Sequence, residues 1–166
     1  MKRYTLLILI FCLMKEASLF SQTQTSLKFN PSFGQSKLSS DSAYKISIND
    51  SIQITAFKFY ISNLELLNKN KSVWKDSIPF HLIDAFNEKT LAFKIPTNIP
   101  YTKVKFNLGI DSITNVSGAM GGDLDPTKGM YWTWQSGYIN FKLEGISNLC
   151  KTFVSRLYSD SYVYVI

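Results

Sequence analysis

Alternation is the feature that most restricts what this chain can fold into. Leu27 and Phe29 alternate with Lys28 and Asn30, and Phe57, Phe59 and Ile61 alternate with Lys58, Tyr60 and Ser62. Further on, Val104, Phe106, Leu108 and Ile110 alternate with Lys105, Asn107 and Gly109, and Ile139, Phe141 and Leu143 alternate with Asn140, Lys142 and Glu144. Successive side chains of a strand point to opposite faces, so each run fits a strand with one buried and one wet face. No window repeats at the helical period; Ile83-Asp84-Ala85-Phe86 is expected at most to begin a helical turn. Turn-forming residues separate the runs, in Asn68-Lys69-Asn70-Lys71, from Pro96 to Pro100, and from Gly121 to Pro126. The expected fold is all-β: a single antiparallel β-sandwich or barrel-like domain. It carries one long Gly/Asp-rich loop, Ser112 to Gly129, of a length that is usually functional when it lacks structure of its own.

The N-terminus reads as an export signal. Lys2 and Arg3 precede the apolar run Thr5 to Met14, which is too short to cross a bilayer as a helix. Cleavage is expected after Ser21, giving a leader of residues 1–21 and one domain of residues 22–166, periplasmic or secreted. Cys12 lies within the apolar run behind Phe11, which does not suit a lipoprotein site. No later segment is apolar for long enough to span a membrane. Loss of Lys2, Arg3, Lys15 and Glu16 takes the formal charge from +6 to +4, and the lysines are scattered, so nucleic acid is not an expected partner. Cys150 is the one cysteine left after cleavage, which rules out an internal disulfide.

Catalytic constellations are lacking, and no enzymatic turnover is expected. His81 is the only histidine and no Gly-x-Ser-x-Gly elbow is present. One histidine and one cysteine cannot supply the usual four ligands of structural zinc. Asp111, Asp123 and Asp125 can offer oxygens to calcium, but Trp134 stands where an EF-hand places its bidentate glutamate, and aspartate beside glycine and proline is also ordinary turn chemistry. Trp132 and Trp134, two apart, are expected on one strand face, with Tyr131 and Thr133 on the other. Indoles there can plug a core or be oxidised. Met120 and Met130 are soft donors that suit Cu(I), or simple core fillers, and imidazole suits copper generally.

Six ordered blocks go further. They are Phe57 to Leu64, Phe80 to Asp84, Phe106 to Asp111, Gly122 to Pro126, Gly129 to Tyr138 (GMYWTWQSGY) and Lys142 to Gly145. Together they resemble the MbnP-like family, exported copper-binding proteins first associated with methanobactin systems, over roughly Leu27 to Ser147. The resemblance implies a β-rich protein for copper uptake or storage. In relatives, copper is held by histidine together with kynurenine, an oxidised tryptophan made by a MauG-like di-haem oxidase. It therefore implies His81, Trp132, Trp134 and Met130 as candidate metal-site residues, with that oxidase and a copper-carrying small molecule as partners. An alternative from the residues alone is an exported module that binds a sugar or peptide through the aromatic face around Tyr131 to Tyr138. The chain departs from the family pattern after Cys150. Lys151 to Asp160 fits neither the family's next strand nor its Phe-His-Leu-Gly-Gly-Tyr histidine. A frameshift or early end after Thr152 is the expectation, costing one ligand and the strands that close the sheet, and leaving either a working protein or a copy without metal affinity.

Overall fold

A computed structural model describes residues 25–96, 98–132, 137–149, 152–157 and 162–165; the leader, Trp134 and Cys150 lie outside them. Among the described residues, fourteen strands follow one another. They are β1 (Thr25–Lys28), β2 (Ser32–Phe33), β3 (Ser36–Lys37), β4 (Ala43–Lys45), β5 (Ser51–Asn68), β6 (Lys71–Lys75), β7 (Phe80–Asp84), β8 (Ala92–Ile95), β9 (Lys103–Leu108), β10 (Tyr131–Trp132), β11 (Gly137–Tyr138), β12 (Phe141–Ser147), β13 (Phe153–Leu157) and β14 (Tyr162–Val165). The fold is all-β and antiparallel throughout.

One strand organises the main sheet. β5 runs for 18 residues and pairs with five others. Its register puts β12 and then β9 along one side, from Ile52 to Leu67. Along the other side lie β4, β7 and β6. The strand keeps a single apolar face only by changing parity midway. Up to Ile61 the odd-numbered residues Phe59 and Ile61 face Ile83, Leu91, Phe93 and Phe106. Asn63 then adopts φ 51, the register against β9 slips between Ser62 and Glu65, and the even-numbered Leu64 and Leu66 take over against Phe93 and Phe106. A bulge shifts every later side chain to the opposite face, which is how the apolar face survives. β1 and β8, a separate two-stranded sheet, cover this face with Phe29, Phe93 and Ile95.

The opposite face was expected to be wet, and it is not. Tyr60 is 0% exposed and Ser62 1%. The long loop folds back over them and brings Leu124, Met130, Tyr138 and Ile139 against Tyr60, Leu82 and Ile110. Nor is the loop unstructured: it contains helix α1 (Ser112–Val116) and two 3-10 turns, Gly122–Leu124 and Pro126–Lys128. β5 is thus the middle of a sandwich, with a core on either side. Ile83 and Asp84 belong to β7, and the helical turn comes later, as a 3-10 turn at Glu88–Thr90.

The C-terminal segment also corrects the sequence reading, which left it without a strand. β13 pairs with β12 and β14 pairs with β9. Both run parallel to β5, two positions away, so they form the outer layer of the sheet on that side. Valine, tyrosine and phenylalanine suit a pleated surface, which is the physical reason a tail with an atypical motif still joins the sheet.

Candidate functional site

His81 sits in β7 directly opposite Ile61 of β5, and therefore on the Ile61–Ile83 side of the sheet. Its ring stacks on Phe93 at 4.5 Å and 5°. Nε2 lies 2.9 Å from Asp76 Oδ2, a hydrogen bond that becomes an ion pair when the imidazole is protonated. Both side chains are about nine-tenths buried, at 11% and 10% exposure, so the ring orientation is fixed. Asp76 is itself held: its other oxygen accepts the Ile78 amide at 2.9 Å, and its own amide donates to Leu64 O. Nδ1 has no hydrogen-bond partner among the described residues. The sequence reading missed Asp76. The signal was there in Asp-Ser-Ile-Pro ahead of a strand, since aspartate commonly bonds the amide two residues on.

Met130 and Trp132 lie across the sheet from His81. Met130 is 0% exposed and belongs to the Tyr60–Leu82 core, with Trp132 and Tyr131, both half-buried, packed against it. Tyr60 pairs with Ile83's neighbour Leu82, and adjacent strand residues face opposite ways, so the sheet itself separates the histidine from these two groups. The four candidate metal-site residues are therefore not gathered: His81 stands on one face, Met130 and Trp132 on the other, and Trp134 lies outside the described residues. Met120 is 40% exposed in the loop, its amide bonded to the Tyr138 hydroxyl. Among the described residues, the tryptophan on the side of His81 is Trp74 of β6, packed against the cluster of Leu64, Leu66 and Ile95. Sequence reasoning passed over it because it stands in no motif.

The described aromatics of the block, Tyr131, Trp132 and Tyr138, pack inward. Tyr131 and Tyr138 are directly opposite in the β10–β11 ladder, with ring centroids 4.8 Å apart, and Tyr138 meets Tyr60 edge-on at 6.2 Å. Burial raises the Tyr60 phenol well above the ordinary tyrosine value, with Tyr138 and Asp123 adding to it. Burial likewise raises Tyr138. Both hydroxyls are used: Tyr60 donates to Asp123 O at 3.1 Å, and Tyr138 accepts the Met120 amide at 2.8 Å. Tyr131, Trp132 and Tyr138 thus belong to a core, and these described aromatics offer little of the open platform that a sugar-binding face needs.

The three aspartates of the calcium reading are placed apart, each at its own turn. Asp111 caps α1, accepting from Thr114 N at 2.8 Å and Thr114 Oγ1 at 2.9 Å. Desolvation pushes its carboxyl up, but those bonds together outweigh it and hold the group below the usual carboxylate range. Asp125 caps the second 3-10 turn through Thr127, whose hydroxyl and amide hold it low as well. Asp123 joins Lys128 Nζ at 2.6 Å to the Leu82 amide at 2.9 Å, fastening the loop to β7. No group of three or more His, Cys, Asp or Glu side chains converges among the described residues.

The MbnP family profile matches residues 22–161. The chain belongs to the MbnP family. Among solved structures it is similar to MbnP from Methylosinus trichosporium, with a TM-score of 0.56 and 11% sequence identity, over 86% of this chain and 70% of that one. At that identity the likeness speaks for the fold alone. No curated protein matches the chain. No described helix is long and apolar enough to cross a membrane.

Proposed function

We propose that this MbnP-family chain is an exported copper-binding protein for uptake or storage, with His81 as its imidazole ligand. The observation that supports the reading is the Asp76–His81 pair. A histidine that binds a metal typically donates its other ring N–H to a carboxylate, which fixes the tautomer and raises the basicity of the ligating nitrogen. Here Asp76 would accept the hydrogen bond of Nε2–H and leave the Nδ1 lone pair for copper, to which imidazole is well suited. The fit is partial, because the described residues bring one imidazole and no second soft donor to that face. The sheet puts Trp132 on the far side from His81, so the remaining coordination would come from a copper-carrying small molecule. Oxidation of the block would need a partner di-haem oxidase. Asp111, Asp123 and Asp125 are spent on caps and on the loop–β7 link, so we propose no calcium site.

Titration of the purified chain with Cu(I) and with Cu(II) tests the reading. Tight binding of one equivalent is expected, abolished in His81→Ala and weakened about 10–100-fold in Asp76→Asn, as for other outer-shell partners. Met130→Leu should leave affinity unchanged, because the sheet separates it from His81. Peptide mass mapping of the same sample would assign any kynurenine to Trp132 or Trp134. Binding that survives His81→Ala would refute the assignment.

A further inference from the structure

Lys58 of β5 and Lys142 of β12 occupy directly opposite positions in the sheet. Like charges there are ordinarily destabilising, so their juxtaposition calls for a compensating partner. The partner is the turn that leads into the tryptophan block. Lys58 Nζ donates to Lys128 O at 3.3 Å, and Lys142 Nζ donates to Gly129 O at 3.2 Å. These consecutive carbonyls close the 3-10 turn Pro126–Lys128, which Gly129 ends at φ 73. The C-terminal end of such a turn carries partial negative charge and orphan carbonyls, which cations satisfy. Each lysine also has a carboxylate on the sheet: Asp84 lies 3.1 Å from Lys58 and Glu144 3.6 Å from Lys142. Asp84 is fixed in turn, since its Oδ1 accepts the Phe86 amide at 3.0 Å.

We propose that Lys58 and Lys142 are positioning residues for Trp132. The two ammonium groups hold the point from which Met130, Tyr131 and Trp132 depart, and so set how far the indole is exposed to solvent or to a partner that reaches it. Asp123 ties the Lys128 side chain to the Leu82 amide, and Met130 is locked into the core with its carbonyl accepting the Ile139 amide, while the backbone carbonyls of Lys128 and Gly129 between them are met by the two lysines. Through Asp84 the same Lys58 touches the strand that carries His81, so one side chain joins the two candidate regions. The inference concerns Trp132 whatever binds at His81, and its test involves no copper.

The test uses two single-tryptophan reporters of the full chain. Trp74→Phe with Trp134→Phe keeps Trp132; Trp132→Phe with Trp134→Phe keeps Trp74. Into each go Lys58→Met and Lys142→Met, then Lys58→Arg and Lys142→Arg. With methionines, Trp132 emission should move to longer wavelength and its acrylamide quenching constant rise roughly twofold, as expected for local opening. The arginine pair, which keeps the donors, should restore both, and the Trp74 reporter should not move. An unchanged Trp132 signal in the methionine variant would overturn the proposal. Equal changes at Trp74 would overturn it too, by showing general loosening. Where the double variant does not fold, Lys142→Met alone is read in the same way.

Discussion

Gly109→Ala should cost this protein a large part of its stability, and the cost can be apportioned. Gly109 follows β9 at φ 97, a conformation that side chains with a Cβ rarely adopt. Holding alanine there costs about 1–3 kcal/mol. The added Cβ would also stand 2.8 Å from Asn140 Cγ and 3.1 Å from its Nδ2, closer than atoms pack. Asn140 is 5% exposed and its Oδ1 accepts the Ile110 amide at 3.0 Å. Moving the side chain aside would strand that amide, a further penalty of about 1–3 kcal/mol. The expected loss is therefore about 2–6 kcal/mol, against a typical total of about 5–15. Urea unfolding followed by far-ultraviolet circular dichroism measures it, and a double-mutant cycle with Asn140→Ala locates it. In the Asn140→Ala background the Cγ and Nδ2 contacts are gone and only the Cβ at 3.1 Å remains, so Gly109→Ala should cost little beyond the backbone strain, and the two changes should couple by about 1–3 kcal/mol. Simple additivity would refute Asn140 as the obstacle, and a Gly109→Ala cost below about 1 kcal/mol would refute the strain as well.

Bound Cu(II) should quench Trp74 more than Trp132, because Trp74 packs against the Leu64–Leu66 cluster on the side of the sheet that carries His81, the cluster that Phe93 also meets; Trp74→Phe should remove most of the quenching seen on titration. Asp123→Ala should unfasten the loop from β7 by freeing the Leu82 amide and Lys128, at about 1–3 kcal/mol in urea unfolding, with faster exchange at Leu82. The Asp111 cap should contribute stability above the ordinary aspartate pKa and lose it as pH falls through the depressed folded value; a carboxyl NMR titration should place its midpoint below the unfolded value, and Asp111→Asn should flatten that part of the pH–stability profile.

Much of the architecture was legible because alternation is a direct image of the pleat. The runs at Phe57, Val104 and Phe141 became β5, β9 and β12, and the residues that carried the family resemblance lie where those strands meet the loop. Burial on both faces of β5 was not legible. Tyr60 and Ser62 read as outward residues, since tyrosine and serine suit a wet face, and only the returning loop makes them core. The site was legible in identity and not in arrangement. His81 was the sole imidazole, but no spacing along the chain says which face of a sheet it takes relative to Trp132, because that depends on pairing with Ile61 and on the Asn63 bulge. Asp76 and Trp74 were hidden for a related reason: their roles come from His81 in a neighbouring strand and from Leu66 across the β5–β6 ladder, and not from their sequence neighbours.

The central place of β5 carries a consequence for how the chain reaches its fold. Phe59 must find Ile83 on one side and Phe141 on the other, and Ile61 must find both His81 and Leu108. Few of these pairings are local, and each closes a long loop before it is rewarded. Two short hairpins, β4–β5 and β5–β6, can form early, and β7 can follow, while the pairings with β9 and β12 must wait for the C-terminal half. Folding should therefore be slow for a domain of this size, with the half-built β5 as its most adhesive intermediate, and any helper that shields one strand during assembly should choose this one.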